Sequence, residues 1–271
     1  MSSESYVDLL VQMQVLHERP IRAAIQALQP PRGSRGLDAG CGIGLQAVLL
    51  TRAAGPSGHV IGLDNCHEHL LQASRIVKQA GLSARFASEE ADVRRLPFRD
   101  GCFDWVWSAD CVGYGPPLDP PHTIKELARV VKPGGTVAIL AWSSQTLLPG
   151  YPALEAHLSA ASSGIAPFSA GERPEAHFLR ALGSFRDAGL EDLSVYTFCG
   201  DLHAPLTAEV RRAVTLLLGM RWSGVEPELS PEDLAEYQRL CLPESPDFVV
   251  DHPDYYAFFT YSMFRGRTAG S

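Results

Sequence analysis

Apolar positions in the first 28 residues recur at helical spacing. Leu9, Met13 and Leu16 fall on one face, and Pro20 suits the first turn of a second helix carrying Ile21, Ile25 and Leu28. Gln29-Pro-Pro-Arg-Gly33 then breaks the pattern. From Arg35 short apolar runs alternate with helical ones. A buried strand leads into helix Leu45–Arg52, strand His59–Leu63 follows, and helix 67–80 sets Leu70, Leu71, Ser74 and Val77 on one face with Gly81 as its C-cap. A third strand candidate precedes Ala91, and Cys102–Ser108 supplies a fourth. A helix over roughly 122–131 stops before Lys132-Pro-Gly-Gly135, and the fifth strand runs through Ile139. Glu175–Ala188 reads as a helix, Leu193–Cys199 as a strand and the aromatic Tyr255–Phe264 as the last one. This alternation predicts an α/β fold with a parallel sheet and helices on both faces.

Two stretches stand outside that scaffold. Residues 145–174 are rich in Ser, Ala, Pro and Gly, and residues 201–250 hold two helical patterns, around 207–219 and 231–241, bracketed by prolines. A long non-scaffold segment in a compact domain is usually functional, which favours a cap over a surface ornament. The expected organisation is an N-terminal helical segment 1–32, a core 33–144, an insert 145–174, the core continued over 175–200, a helical insert 201–250, and a last strand with the C-terminal tail over 251–271.

The chemistry concentrates in Asp38-Ala-Gly40-Cys41-Gly42-Ile-Gly44, between the first strand and its helix. A loop with three glycines has no side chains to hold a ligand away, so its backbone N–H groups and the helix N-terminus can touch one directly. Glycines also serve tight turns and close packing, so the triplet alone is compatible with a purely structural role. Asp64 lies 20 residues beyond Gly44, at the end of the second strand, where a carboxylate can hold ribose hydroxyls. A dinucleotide fingerprint needs glycine three positions after Gly42, and that position is Leu45. Asp38 beside the loop would repel a pyrophosphate and attract an ammonium group.

At these residues the sequence resembles the class I S-adenosylmethionine-dependent methyltransferases. Ala91-Asp-Val-Arg-Arg-Leu-Pro-Phe98, Cys102-Phe-Asp-Trp-Val-Trp-Ser108 and Leu127-Ala-Arg-Val-Val-Lys-Pro-Gly-Gly-Thr-Val-Ala-Ile139 match later motifs of that family in order and spacing. The branch resembled includes quinone-biosynthesis C-methyltransferases and natural-product enzymes. The resemblance covers residues 33–142 and returns weakly over 175–200 and 253–267. It implies a Rossmann-like, doubly wound seven-stranded sheet with the last strand antiparallel, an N-terminal helical lid and an inserted helical cap.

The resemblance also implies roles for individual residues. Gly40, Cys41, Gly42 and Gly44 would line the methionine and ribose part of S-adenosylmethionine, with Asp38 near its ammonium group. Asp64 would take the ribose hydroxyls. Asp92 would accept from the adenine amino group, the Val93 amide would donate to the ring, and Ser108 would face the methionine moiety. Asn65 and His69 stand where the family more often has apolar residues, which alters that wall of the pocket. No catalytic residue is fixed by the motifs; Asp110, Tyr114, His122 and His17 are the candidates for a general base or a substrate hydrogen bond. Each has an ordinary alternative as a cap, a packing residue or a solvated side chain.

Composition narrows the partners. The net charge is −8 with no basic run, and a protein gripping nucleic acid normally shows a basic face, so a small-molecule acceptor is expected and nucleic acid is not. No basic segment precedes an apolar stretch at the N-terminus, and no apolar run is long enough to span a bilayer, so neither a leader nor a membrane partner is expected. Six cysteines without a C-x-x-C pair or metal-ligand rhythm read as free thiols in a reducing cytoplasm, with no metal. The expected activity is methyl transfer to an O, N or C nucleophile, releasing S-adenosylhomocysteine. Its rivals are a nicotinamide-dependent oxidoreductase and a silent cofactor-binding module. The oligomeric state is not readable from these residues.

Overall fold

The computed structural model describes residues 3–112, 119–160, 177–222 and 224–270. Seven strands form one sheet: β1 (Arg35–Ala39), β2 (His59–Asp64), β3 (Phe86–Glu90), β4 (Phe103–Ala109), β5 (Val131–Thr146), β6 (Leu190–His203) and β7 (Tyr256–Thr268). Their order is β3-β2-β1-β4-β5-β7-β6. The first five run parallel, with Asp38 paired to Gly62 on one side and Trp107 on the other. β7 reverses direction. Gly135 meets Thr268 while Ser143 meets Thr260, so one strand ascends as the other descends. The expected doubly wound sheet with an antiparallel last strand is the architecture observed.

Eight α-helices accompany the sheet among the described residues: α1 (Ser3–Leu28), α2 (Leu45–Ala53), α3 (His67–Gln79), α4 (Pro120–Arg129), α5 (Pro152–Ala160), α6 (Ala181–Asp187), α7 (Ala208–Trp222) and α8 (Pro231–Cys241). The N-terminal expectation of two helices needs correction. α1 is continuous, with Pro20 inside it. A proline there removes one backbone hydrogen bond and crowds the preceding turn. Leu9, Met13, Leu16, Ile21, Ile25 and Leu28 are all buried, and their shared packing outweighs that local cost. The helix expected over 175–188 is also shorter. A 3-10 turn, Phe178–Arg180, precedes α6, and residues 175 and 176 lie outside the described residues.

The chain forms two compact units, and α1, β5, β6 and β7 each contribute to both. The larger unit comprises residues 21–141, 172–198 and 261–271. On one face of its sheet, Leu37, Val106, Ile124, Leu127, Val137, Phe185 and Phe264 belong to one buried cluster. A smaller cluster of Ala47, Val48, Val77 and Leu82 joins α2 to α3. The other unit comprises residues 1–20, 142–171 and 199–260. There the Trp142 ring stacks on Phe259 at 4.4 Å, and the Arg221 guanidinium lies 4.6 Å from the Trp142 centroid. The expected segment 1–32 is therefore divided after Pro20, and the expected insert 201–250 shares a unit with residues 145–171 of the other, while 172–174 fall in the larger unit. Linear spacing does not reveal this, because the contacts that join these pieces are long-range. Among the described residues no helix is long and apolar enough to cross a membrane.

Candidate functional site

β1 ends at Ala39, and the next five residues turn sharply into α2. The amides of Gly40 and Cys41 both donate to the Leu63 carbonyl, at 2.7 and 2.8 Å, which clamps the loop over β2. Gly40, Gly42 and Gly44 all have positive φ, a conformation open to glycine at little cost. They are not equivalent. A Cβ on Gly40 would lie 2.5 Å from Cys111 Sγ, and one on Gly44 would lie 2.7 Å from the Ala73 side chain, so both positions are closed by packing. A Cβ on Gly42 would meet no atom within 4 Å, leaving the middle of the loop open to an incoming molecule. α2 begins at Gly44 without a side-chain cap, so its first-turn amides have no side-chain partner there.

Two carboxylates flank the loop. Asp64 Oδ2 accepts the Gly42 N–H at 2.9 Å and Oδ1 accepts the Cys66 N–H at 3.0 Å, with His69 Nδ1 3.4 Å from Oδ1. Asp38 is 1% exposed, and its Oδ2 has no hydrogen-bond partner. Burial, with the nearby Asp64 charge second, pushes the Asp38 carboxyl up to about 8. An orphaned, buried acceptor at the mouth of a glycine loop matches a donor-bearing or cationic ligand group, and the uncapped amides suit its acceptor groups.

The other expected residues fall as follows. Cys41 is buried, its thiol pushed up by burial first and then by Asp38 and Asp64, and it donates weakly to the Gly42 carbonyl. Ser108 is buried, and its hydroxyl donates to the Ala39 carbonyl at 2.7 Å, tying β4 to β1. Val93 packs against the main apolar cluster, and Asn65 is exposed. Asp92 follows β3, where Arg94 grips both carboxylate oxygens and lowers its pKa. Any further donor to Asp92 must share an oxygen with that guanidinium.

The catalytic candidates separate. Asp110 sits at the end of β4, with the neighbouring Cys111 against Gly40. His122 is exposed in the first turn of α4, and its Nε2 contacts the Arg94 carbonyl at 3.0 Å. His17 belongs to the other unit, edge-on to Trp142, and burial with the Arg221 charge lowers its pKa to about 4. Tyr114 lies outside the described residues. Sequence reasoning missed Gln46, which accepts from Trp107 Nε1 at 2.8 Å, and Tyr261, which donates to Asp110. Neither stands in a motif; only the sheet order brings them together. Among the described residues no group of His, Cys, Asp and Glu could hold a metal ion.

A parallel α/β sheet with a glycine loop and an acidic second-strand end defines a domain that binds adenosine-type ligands. Residues 37–135 match the family model of the methyltransferase domain. Over 118 residues it is 37% identical to the demethylmenaquinone methyltransferase of Bacillus cytotoxicus, an alignment covering 43% of this chain and 48% of that protein. The YcgJ protein of Bacillus subtilis is similar at a TM-score of 0.58, with 16% identity over 94% of this chain and 100% of its own. The cyclase SpnF is similar at 0.56, with 19% identity over 92% and 82%. At such identities the last two show the fold alone. The chain spans about half the length of the curated relatives it matches.

Proposed function

We propose that the protein is an S-adenosylmethionine-dependent methyltransferase acting on a small molecule. The observation that carries this reading is Asp38, a buried carboxylate with an orphaned oxygen beside an open glycine, within the matched methyltransferase domain. Asp38 would receive the ammonium group of the methionine moiety, and the α2 amides would receive its carboxylate. Asp64 would accept from the ribose hydroxyls, exchanging or sharing its bond to the Gly42 amide. Asp92 would meet the adenine amino group with the oxygen it shares with Arg94, beside the Val93 amide.

When bound, S-adenosylmethionine supplies an electrophilic methyl on a sulfonium leaving group. The chain's own contribution is then mainly positional: holding the reacting atoms in line and excluding water. Several facts support an acceptor that is a small molecule. The net charge is −8, no basic run is present, and the matched relatives include one named demethylmenaquinone methyltransferase. Six free cysteines are in keeping with a reducing cytoplasm.

The test is calorimetric titration with S-adenosylmethionine, S-adenosylhomocysteine and NAD, with an Asp64→Ala control. Micromolar-range binding of the first two, weakened by the substitution, is the expected result. Binding of NAD alone, or of none of the three, overturns the reading.

A further inference from the structure

Tyr261 and Asp110 stand 151 residues apart in the chain, yet the Tyr261 hydroxyl donates to Asp110 Oδ2 at 3.2 Å. Tyr261 belongs to β7 and is 1% exposed, whereas Asp110 is partly exposed at the end of β4. The Asp110 backbone is in the left-handed region, at φ 48. That conformation is uncommon outside glycine, although aspartate tolerates it better than most residues. It is held there from two sides. The Asp110 N–H donates to the Leu140 carbonyl at 2.8 Å, and the next residue, Cys111, packs against the position of Gly40. A backbone outlier fixed this firmly at the end of a strand, beside a ligand loop, points to a functional demand on where the side chain goes.

The groups around this carboxylate define what it can do. Asp38 on β1, Asp64 on β2 and Asp110 itself all act on the Cys111 thiol, which burial chiefly, and these carboxylates secondarily, push up to about 11. Neighbouring negative charge makes a carboxylate a better proton acceptor, while a hydroxyl donating to it favours the ionised form. The Tyr261 hydroxyl is such a donor to Asp110. An oriented carboxylate next to the cofactor loop suits removal of a proton from a bound nucleophile.

We propose that Asp110 takes the proton of the methyl acceptor, that Tyr261 is its positioning residue, and that the acceptor carries an O–H or N–H, as a phenol, enol or amine does. The inference rests on the methyltransferase reading above. In the step, the acceptor oxygen or nitrogen forms the new bond to the methyl carbon. The carbon–sulfur bond breaks with its electron pair left on sulfur, and the acceptor proton passes to the Asp110 carboxylate. A thioether or tertiary amine has no proton to give and would leave Asp110 without a role.

The experiment uses the full chain labelled with carboxyl-13C aspartate and saturated with S-adenosylhomocysteine. The Asp110 resonance is assigned by Asp110→Asn and titrated in wild type and in Tyr261→Phe, a variant that keeps the ring and loses only the hydroxyl. Loss of the hydrogen bond should raise the Asp110 titration midpoint, with product affinity changing less than about threefold. Turnover is then read as S-adenosylhomocysteine release with a set of phenols and primary amines, against dimethyl sulfide and trimethylamine. Only the first set should react. Asp110→Asn should cut the rate by about 100-fold or more, and Tyr261→Phe should move the acid limb of the pH–rate profile upward with the carboxyl midpoint. An unmoved midpoint in Tyr261→Phe, full activity in Asp110→Asn, turnover of the second set, or turnover of neither overturns the proposal. Failure of wild type to bind S-adenosylhomocysteine is a separate result, and it sinks the methyltransferase reading itself.

Discussion

Asp64 reaches back from the end of β2 to accept the Gly42 N–H at 2.9 Å, so the residue expected to hold a ribose also holds the loop. One side chain therefore has two duties, and a substitution there acts on both. Charge-assisted hydrogen bonds contribute about 1.5–3 kcal/mol each. Asp64→Ala is expected to weaken S-adenosylmethionine binding about 10- to 100-fold. Asp64→Asn, which keeps an acceptor oxygen but no charge, should fall between. Calorimetry of the two variants separates the contributions; equal affinities for both and for wild type would exclude Asp64 from the site.

The three loop glycines should respond differently to alanine. Gly44→Ala forces a methyl to 2.7 Å from Ala73, and Gly40→Ala forces one onto Cys111, each at positive φ. Overpacking costs about 1–3 kcal/mol, and the strained backbone adds to it, so both variants should melt several degrees lower. Gly42→Ala meets no neighbour and bears only the conformational cost, about 1 kcal/mol. Its effect should fall on ligand affinity. Thermal melts with and without S-adenosylhomocysteine give the contrast: a small shift for Gly42→Ala alone, and loss of ligand stabilisation in the same variant.

Asp38 predicts a pH dependence of definite sign. Its carboxyl in the folded protein is pushed up to about 8, chiefly by burial, from an ordinary 3.8. Between those values the folded state holds a proton that the unfolded state releases. The associated stability is fully present below about pH 4 and is lost as the pH rises through 8, with a slope of at most about 1.4 kcal/mol per pH unit. Asp38→Asn should flatten the fall of the ligand-free melting temperature between pH 5 and 8. An ammonium group seated beside Asp38 favours the ionised carboxylate, so cofactor binding at pH 7 should expel a proton. Calorimetry in buffers of different ionisation enthalpy reads that proton directly, and the Asn variant should release none.

How much of this was legible beforehand depended on the range of the determining contacts. The loop from Asp38 to Gly44 and the strand end at Asp64 are local signals, because positive φ and short apolar runs are properties of a few adjacent residues. Even there, the distinction between Gly42 and its neighbours depends on Ala73 and Cys111, which no spacing rule names. The Pro-Gly-Gly run, read as a turn before the fifth strand, instead lies inside β5, where the pairing with β4 shifts register. Tyr261 was invisible as a partner of Asp110, since their meeting requires the strand order that puts β7 beside β5. Pro20 misled for the opposite reason. Its local preference for a helix start is genuine, but buried neighbours on both sides hold one continuous helix together.

Glu155 offers a test inside the other unit. It lies on α5, 8% exposed, and folds back to accept the amides of Leu147 at 2.6 Å and Leu148 at 3.1 Å. Burial raises its pKa while the two backbone bonds oppose that shift. An unpaired buried amide costs about 1–3 kcal/mol, so Glu155→Ala, which strands two, is expected to destabilise this unit by about 2–4 kcal/mol. Glu155→Gln keeps one acceptor oxygen but turns an NH2 group toward the other amide, and should cost roughly half as much. Trp142 and Trp222 lie in the same unit and report its unfolding by fluorescence in urea. The midpoint should drop in the order wild type, Gln, Ala, at an unchanged slope. If the Ala variant stayed within about 0.5 kcal/mol of wild type, the two amides would have to be satisfied by water, and Glu155 would not be what holds residues 147–155 in their fold.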